Sequence, residues 1–173
     1  FTTTGWMMWN WLVSGLASDA TVVLYDGSPF HPDGNRLFDL VDDCALSLLG
    51  VSAKFIDSVA TAGLRPIDTH ALADLRTICS PGSPRSHEGF AHVYTHWSPD
   101  VHLASISGGT DLCGCLVGGQ PTGSVHAGQI QGPVLGMDMD VVDDNGATAG
   151  VGRRGDLVCL NAFPALPLGL RDA

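Results

Sequence analysis

The feature that most constrains the fold is a regular alternation of short apolar segments with amphipathic ones. Runs rich in apolar residues occur at 21–25, 46–51, 75–79 and 101–106. Segments with apolar residues at helical spacing lie between them. Strands that are apolar on both faces and separated by helices are typical of a parallel sheet covered by helices. The sequence therefore predicts an α/β fold with a partial parallel sheet flanked by helices.

The helices that cover this sheet have recognisable ends. Residues 6–16 are apolar all round, which predicts a buried helix, and residues 35–44 form an amphipathic one. Ser52 can cap a helix that Gly63 would end in a left-handed conformation. A further helix is expected from Ser86, with apolar residues at helical spacing: Phe90, Val93, Tyr94 and Trp97.

The pattern changes after about Asp111. Glycine-rich turns there separate short strands near Ile130, 137–142 and 156–160. Short strands joined by such turns favour an antiparallel meander or a small barrel. We therefore expect an α/β unit over residues 1–111, followed by a smaller antiparallel β-rich unit over residues 112–173.

Composition excludes several functions and settings. The chain has 18 acidic and 8 basic residues and a formal charge of −10, which disfavours binding to a phosphate backbone and so to nucleic acid. Its five cysteines are odd in number and lack zinc-site spacing, so we expect a reducing, cytoplasmic setting. Only 15% of residues are charged, below the usual value of about 25%. Part of the surface is therefore expected to face other protein.

The N-terminal segment predicts neither a membrane span nor a signal peptide. Its apolar run at 6–17 is interrupted by Asn10 and Ser14, is too short to span a bilayer, and has no basic residue before it. We expect no membrane association. Because the first residue is Phe1 rather than methionine, we also expect the sequence to start within a longer protein.

Two loops follow predicted strands and carry small or polar residues. Ligands of parallel sheets bind beyond the carboxyl ends of the strands. One loop reads Ser80-Pro81-Gly82-Ser83-Pro84 and could lay flat backbone against a nucleobase or ribose. The other reads Ser107-Gly108-Gly109-Thr110-Asp111 and could hold a phosphate and a hard cation such as Mg²⁺. Ordinary turns would explain both loops as well.

A histidine pair gives a further candidate site. His92 and His96 are four residues apart on a predicted helix and could chelate a metal together. No third ligand is close in the sequence. A solvated helix face is the alternative explanation.

Several motifs, in order, resemble the acetoacetate–CoA ligases, which are AMP-forming members of the adenylate-forming (ANL) superfamily. The resemblance runs from residue 1 to about residue 169. The motifs are Thr2-Thr3-Thr4-Gly5-Trp6-Met7-Met8-Trp9-Asn10-Trp11, Ser52-Ala53-Lys54-Phe55-Ile56, Gly82-Ser83-Pro84, Ile106-Ser107-Gly108-Gly109-Thr110-Asp111 and Gly155-Asp156-Leu157-Val158-Cys159. Each is modest alone, and their order and spacing make the resemblance specific.

The resemblance implies a reaction and a set of cofactors. Acetoacetate would be activated by ATP with Mg²⁺ as an acyl-adenylate and then transferred to CoA. By similarity, Gly82, Ser83 and Pro84 would line the adenine and ribose, and Gly109 would lie beside the phosphates. Thr110 would hydrogen-bond the phosphate, and Asp111, where relatives carry glutamate, would bind Mg²⁺. Thr110 and Asp111 are accordingly the expected catalytic residues.

The same resemblance places an acyl pocket. Met7, Met8, Pro81 and Gly108 match positions that wall this pocket in acyl-CoA ligases. Acetate-using relatives carry a tryptophan at the position of Gly108, so the glycine is expected to leave room for a larger acid. A four-carbon keto acid is therefore favoured over acetate.

Departures from the family pattern, and segments of the family that are missing from the sequence, bear on the activity expected of this chain. The chain departs from the family pattern at five positions: Asp19, Pro81, Arg85, Ala127 and Gln129. The phosphate loop and the C-terminal domain expected of such a ligase are absent from the sequence, so the remainder of a parent chain is an expected partner. We expect a fragment that is inactive alone. A ligase for another short acid and a noncatalytic nucleotide-binding or scaffold remnant remain alternatives.

Overall fold

The computed structural model describes residues 1–81 and 86–169 of the 173-residue chain. Its first layer is a parallel three-stranded sheet in the order β1-β2-β3. These strands are β1 (Leu48–Gly50), β2 (Thr77–Ser80) and β3 (His102–Ser105). Four helices accompany the sheet: α1 (Met7–Ser14), α2 (Arg36–Asp43), α3 (Ala53–Thr61) and α4 (His87–His96).

Two of these helices begin at serine caps, as the sequence predicts. The Ser52 hydroxyl accepts a hydrogen bond from the Phe55 N–H at 3.1 Å, and the Ser86 hydroxyl accepts one from the Gly89 N–H at 3.1 Å. Each serine satisfies a backbone donor that the first helical turn leaves without a partner. Gly63 follows α3 with φ +67°, the left-handed conformation expected of a glycine after a helix.

One main apolar core joins α2, α3 and α4 to the sheet. Phe38 and Trp97 lie at its centre, with ring centroids 4.7 Å apart in an edge-to-face arrangement. The other fully buried members come from both the helices and the strands: Leu37, Val41, Val51, Ile56, Val59, Ile78, Val93 and Leu103. Removing these side chains from water is the main force that holds the layer together.

The connection before β2 is fastened to α2. Both carboxylate oxygens of Asp42 accept backbone hydrogen bonds, from the Ala71 N–H at 2.8 Å and from the Leu72 N–H at 2.7 Å. Leu72 is buried although its φ is +46°, a conformation that non-glycine residues rarely adopt. Asp42 therefore holds a strained residue in the position that buries its side chain.

The rest of the chain forms two small antiparallel sheets. One has the order β4-β5-β6, with β4 (Ser107–Gly109), β5 (Gly114–Gly118) and β6 (Gly132–Pro133). The other pairs β7 (Met139–Val142) with β8 (Asp156–Cys159). The Gln131 amide nitrogen donates to the carbonyls of Gln120, Gly123 and Ser124 at 2.9, 3.1 and 3.2 Å, which fastens the turn between β5 and β6.

The α/β class, with a parallel sheet and helices followed by antiparallel strands, is confirmed. Two local expectations are wrong. Residues 21–25 form no strand, because no strand of the described chain lies beside them to supply hydrogen bonds. The helix expected at 6–16 exists as α1, yet Trp6, Val13 and Leu16 are 64%, 50% and 59% exposed, so the segment is not buried all round. The division at residue 111 into two domains stays a prediction.

Candidate functional site

The two predicted site segments leave the sheet at the same edge. In the parallel register Ser80, the last residue of β2, lies opposite Ser105, the last residue of β3. Both serines are buried. The Ile106 N–H donates to the Ser80 carbonyl at 3.3 Å, which keeps the two exits side by side. This is the edge at which a parallel sheet binds ligands.

Pro81 continues directly from this edge. It is half-buried, and its carbonyl accepts a hydrogen bond from the Ala53 N–H at the start of α3, at 3.3 Å. The expected adenine-site residues Gly82, Ser83 and Pro84, together with Arg85, lie outside the described residues.

An apolar cluster covers the same edge. Its buried members are Met7, Met8, Cys79, Ala104 and Ile106, with Trp11 and Cys115 packed against them. The small side chains at positions 79 and 104 leave room for the two methionines above the strand ends. A Cβ at Gly50 would collide with the Met8 Cε, so the glycine that ends β1 lets Met8 lie against the sheet. The structure thus brings Met7 and Met8 together with the ends of β2 and β3.

The thiols of this cluster are protonated at neutral pH. Burial, and secondarily the neighbouring Cys115, raise the pKa of Cys79 to about 12. Burial also raises the pKa of Cys115. Because the thiolate is the reactive form of cysteine, neither side chain is suited to act as a nucleophile. The cluster can supply shape and an apolar surface.

The segment from Ser107 to Asp111 is more ordered than the loop that we expected. Ser107, Gly108 and Gly109 form β4, which pairs with β5 and contains a register shift between Ser107 and Gly108. Thr110 and Asp111 begin a 3₁₀ turn, Thr110–Leu112, and both are exposed. The loop expectation is therefore wrong for the first three residues, because pairing with β5 supplies them with a backbone partner.

The two glycines of β4 differ in their surroundings. A Cβ at Gly109 would meet no atom within 4 Å, so the surface beside it is open to a ligand. A Cβ at Gly108 would collide with the Gly114 carbonyl oxygen and would lie 2.6 Å from the Cys115 Cα. Gly108 therefore permits close approach of two strands. The sequence pattern did not show this, because β5 was not predicted.

Helix α1 connects the apolar cluster with the polar turn. It contacts both the Thr110–Leu112 turn and β5. The Asn10 amide nitrogen lies 3.7 Å from the Cys113 sulfur, which in turn lies 3.5 Å from the Thr110 carbonyl oxygen. Neither Asn10 nor Cys113 was predicted from the sequence to belong to the site. These two residues are 103 positions apart, so no local sequence pattern indicates their contact.

Comparison with known proteins finds relatives that match nearly the whole chain. No family model matches the chain. It is 55% identical over 168 residues to the acetoacetyl-coenzyme A synthetase of Rhizobium meliloti, covering 97% of this chain and 26% of that protein. It is 46% identical over 167 residues to the acetoacetyl-CoA synthetase of Gallus gallus, covering 96% of this chain and 25% of that protein.

A solved structure agrees with these sequences. The acetoacetyl-CoA synthetase of Streptomyces lividans matches with a TM-score of 0.89 and 38% identity, over 96% of this chain and 26% of that one. Over almost its whole length, the chain is homologous to one part of the acetoacetyl-CoA synthetases. It spans about a quarter of the length of the relatives it matches. An anthranilate CoA ligase, matched with a TM-score of 0.68 and 18% identity over 81% of this chain, shares the fold.

Of the five departures from the acetoacetyl-CoA synthetase pattern, one has a visible backbone explanation. Asp19 ends the turn after α1 with φ 56°, in the left-handed region where glycine is favoured and aspartate is tolerated. Ala127 and Gln129 are exposed. Nothing in the structure explains the departures at these two positions.

Two searches of the described residues bear on metal binding and membranes. Across residues 1–81 and 86–169, no group of three or more His, Cys, Asp or Glu side chains could hold a metal ion together. In the same residues, no helix has the length and apolar character needed to cross a membrane.

Proposed function

We propose that the chain forms part of an ATP-dependent acid–thiol ligase that activates acetoacetate. The observation that carries the proposal is the convergence, at one sheet edge, of an apolar cluster with an exposed hydroxyl and carboxylate. Met7 and Met8 cover the strand ends, and α1 also contacts the turn that carries Thr110 and Asp111. A small acid with an apolar body and a reactive carboxylate fits such an edge.

The proposed reaction has two steps. First, a carboxylate oxygen of acetoacetate attacks the α-phosphorus of ATP, and the bond from that phosphorus to the pyrophosphate oxygen breaks. Acetoacetyl-adenylate and pyrophosphate result. Second, the thiolate sulfur of CoA attacks the acyl carbon, and the bond from that carbon to the AMP oxygen breaks. Acetoacetyl-CoA and AMP result.

Thr110 and Asp111 are the proposed catalytic residues. The Thr110 hydroxyl would donate a hydrogen bond to a phosphate oxygen, and the Asp111 carboxylate would hold Mg²⁺, which spreads the negative charge of the transferring group. Both side chains are exposed, and the surface beside Gly109 is open, so a triphosphate has access to them. Gly82, Ser83 and Pro84 are proposed to line the adenine and ribose.

The acyl group is proposed to lie against Met7, Met8 and Pro81. Methionine side chains are flexible and adapt to small apolar ligands. Gly108 would contribute through its backbone, by letting β4 approach β5 so that the strand ends beside the apolar cluster. This arrangement supports a short acid and does not by itself distinguish acetoacetate from other short acids.

The complete reaction is proposed to need more than this chain. The chain covers about a quarter of the acetoacetyl-CoA synthetases, and Asp111 is the one carboxylate that it is proposed to supply at the described edge. We therefore expect the 173-residue polypeptide alone to show no acetoacetate-dependent exchange of pyrophosphate into ATP.

A chimera tests the proposal. The matching quarter of the Rhizobium meliloti protein would be replaced by this chain, and acetoacetate-dependent ATP–pyrophosphate exchange would be measured. We expect exchange in the chimera and a loss of about 100-fold or more in Thr110→Val and Asp111→Asn, the usual effect of removing one electrostatic stabiliser. Asp144→Asn, at an exposed hairpin position, is the matched control and should keep full exchange.

The outcomes separate the alternatives. Exchange with acetate, propionate or butyrate exceeding that with acetoacetate would assign a different short acid. A folded chimera that binds ATP but shows no exchange with any acid would indicate a noncatalytic remnant. Exchange that Asp111→Asn leaves intact would refute the proposed role of this carboxylate.

A further inference from the structure

Two histidines of α4 have buried ring nitrogens with no hydrogen-bond partner. His92 and His96 are four residues apart, and their ring centroids lie 4.9 Å from each other. Among the described residues, neither the Nε2 of His92 nor the Nδ1 of His96 has a partner. Buried polar atoms in native proteins are nearly always paired, so these two nitrogens on adjacent rings are candidate ligand-binding atoms.

The rings line a shallow cavity between α3 and α4. Its volume is about 380 Å³, and small side chains keep it open. The lining residues are Ala60, Glu88, Ala91, His92, Thr95 and His96. Glu88 precedes His92 by four residues, so its carboxylate lies one helical turn from the His92 ring and about two turns from the His96 ring. The cavity therefore has room for an ion beside the two rings and a carboxylate among its lining residues.

Trp97 carries a third buried nitrogen without a partner, but an indole N–H only donates and cannot act as a ligand.

The geometry points to a binding site for a late first-row divalent cation such as Zn²⁺, Ni²⁺ or Cu²⁺, with the Nε2 of His92 and the Nδ1 of His96 as its two protein ligands. Imidazole suits these metals, and two histidines at i and i+4 on one helix face can bind one ion. Water completes the coordination, since no three candidate ligands of the described chain lie close enough to hold an ion. The site is separate from the proposed ligase chemistry.

Calorimetric titration of the untagged 173-residue chain with Ni²⁺ at pH 7.5 tests the site. We expect one ion per chain. His92→Gln and His96→Gln should each weaken binding by at least about tenfold, because loss of even an outer-shell partner costs 10–100-fold. His31→Gln and His126→Gln, at exposed positions, are the matched controls and should bind as the parent chain does.

Two further measurements test the site even if a variant folds poorly: the metal spectrum of the parent chain and the melting temperatures of all variants. Electron paramagnetic resonance of the parent chain with one equivalent of Cu²⁺ should show coupling to two nitrogens. Circular dichroism should show that the variants fold, and Ni²⁺ should raise the melting temperature of the parent and of the controls but not that of the His92 and His96 variants. Ni²⁺ binding by the parent chain that is no tighter than binding by a chain carrying both His92→Gln and His96→Gln would overturn the proposal. A Co²⁺ spectrum with thiolate bands would overturn it as well.

Discussion

Replacing Gly108 by alanine should destabilise the chain much more than replacing the adjacent Gly109. A Cβ at position 108 would collide with the Gly114 carbonyl oxygen and lie 2.6 Å from the Cys115 Cα. Both atoms belong to the backbone of β5, so no side chain can rotate away. Either β4 must move from β5 or the hairpin must lose its pairing.

The expected difference in stability follows from the different surroundings of Gly108 and Gly109. Overpacking of a well-packed site costs about 1–3 kcal/mol. Gly109 has φ −151°, which any residue adopts, and its Cβ would meet no atom within 4 Å. An alanine that fits without strain stabilises by about 0.4–1 kcal/mol, because it reduces the freedom of the unfolded chain. The free energies of unfolding of the two variants should therefore differ by about 2 kcal/mol or more.

Urea denaturation followed by circular dichroism and tryptophan fluorescence measures this difference. With a slope of about 2 kcal/mol per molar urea, the midpoints of the two variants should differ by about 1 M. Equal midpoints would refute the reasoning. In that case the space beside Gly108 would be open, as it must be if this residue lines the acyl pocket directly. The same substitution in the chimera should then alter acid preference instead of stability.

Three further substitutions test other contacts. Asp42→Ala should lower the free energy of unfolding by about 2–4 kcal/mol, because it removes a carboxylate that accepts two backbone hydrogen bonds. The neighbouring Asp43→Ala is the control and should cost less than about 0.5 kcal/mol in the same denaturation assay. Gln131→Glu should lower the free energy of unfolding by about 2–4 kcal/mol, because a carboxylate oxygen replaces the amide nitrogen that donates to three carbonyls. Gln129→Glu is the control, and an equally small cost for both variants would contradict this reasoning. Cys79, with a pKa of about 12 in the folded chain and 9.0 as its ordinary value, keeps its proton on folding. The unfolded chain loses that proton first, so stability should fall as pH rises above 9, by about 1 kcal/mol at pH 10. Unfolding curves from pH 8 to 10 should show this loss in the parent chain and in Cys44→Ala, and a smaller loss in Cys79→Ala, where the buried Cys115 thiol still contributes.

The local signals of the parallel layer could be predicted from the sequence. Ser52 was predicted as a helix cap and Ser86 as the start of a helix, and the two serines cap α3 and α4. The apolar runs at 46–51 and 101–106 contain β1 and β3, and the run at 75–79 contains all of β2 except its last residue. These features depend on residues within one or two turns of each other, so a pattern in the chain is enough to identify them.

Features that depend on distant partners could not be predicted in this way. Residues 21–25 have the composition of a strand but no described neighbour to pair with, and a strand needs such a neighbour. Conversely, Ser107, Gly108 and Gly109 have low strand propensity, yet they form β4 because β5 pairs with them. The resemblance led to Gly108 as a pocket residue. Only the position of β5 shows that a Cβ added at Gly108 would meet the backbone of that strand.

The candidate site lies where the parallel and antiparallel sheets meet, and this position explains its division of chemistry. The ends of β2 and β3 support an apolar cluster whose thiols stay protonated, so this side can shape a substrate but cannot react with it. The proposed catalytic hydroxyl and carboxylate follow β4, at Thr110 and Asp111. Because Gly108 lies in β4, its backbone contact with β5 fixes where the polar turn stands relative to the apolar cluster. Strand pairing at one glycine therefore links the stability of the hairpin to the geometry proposed for adenylation.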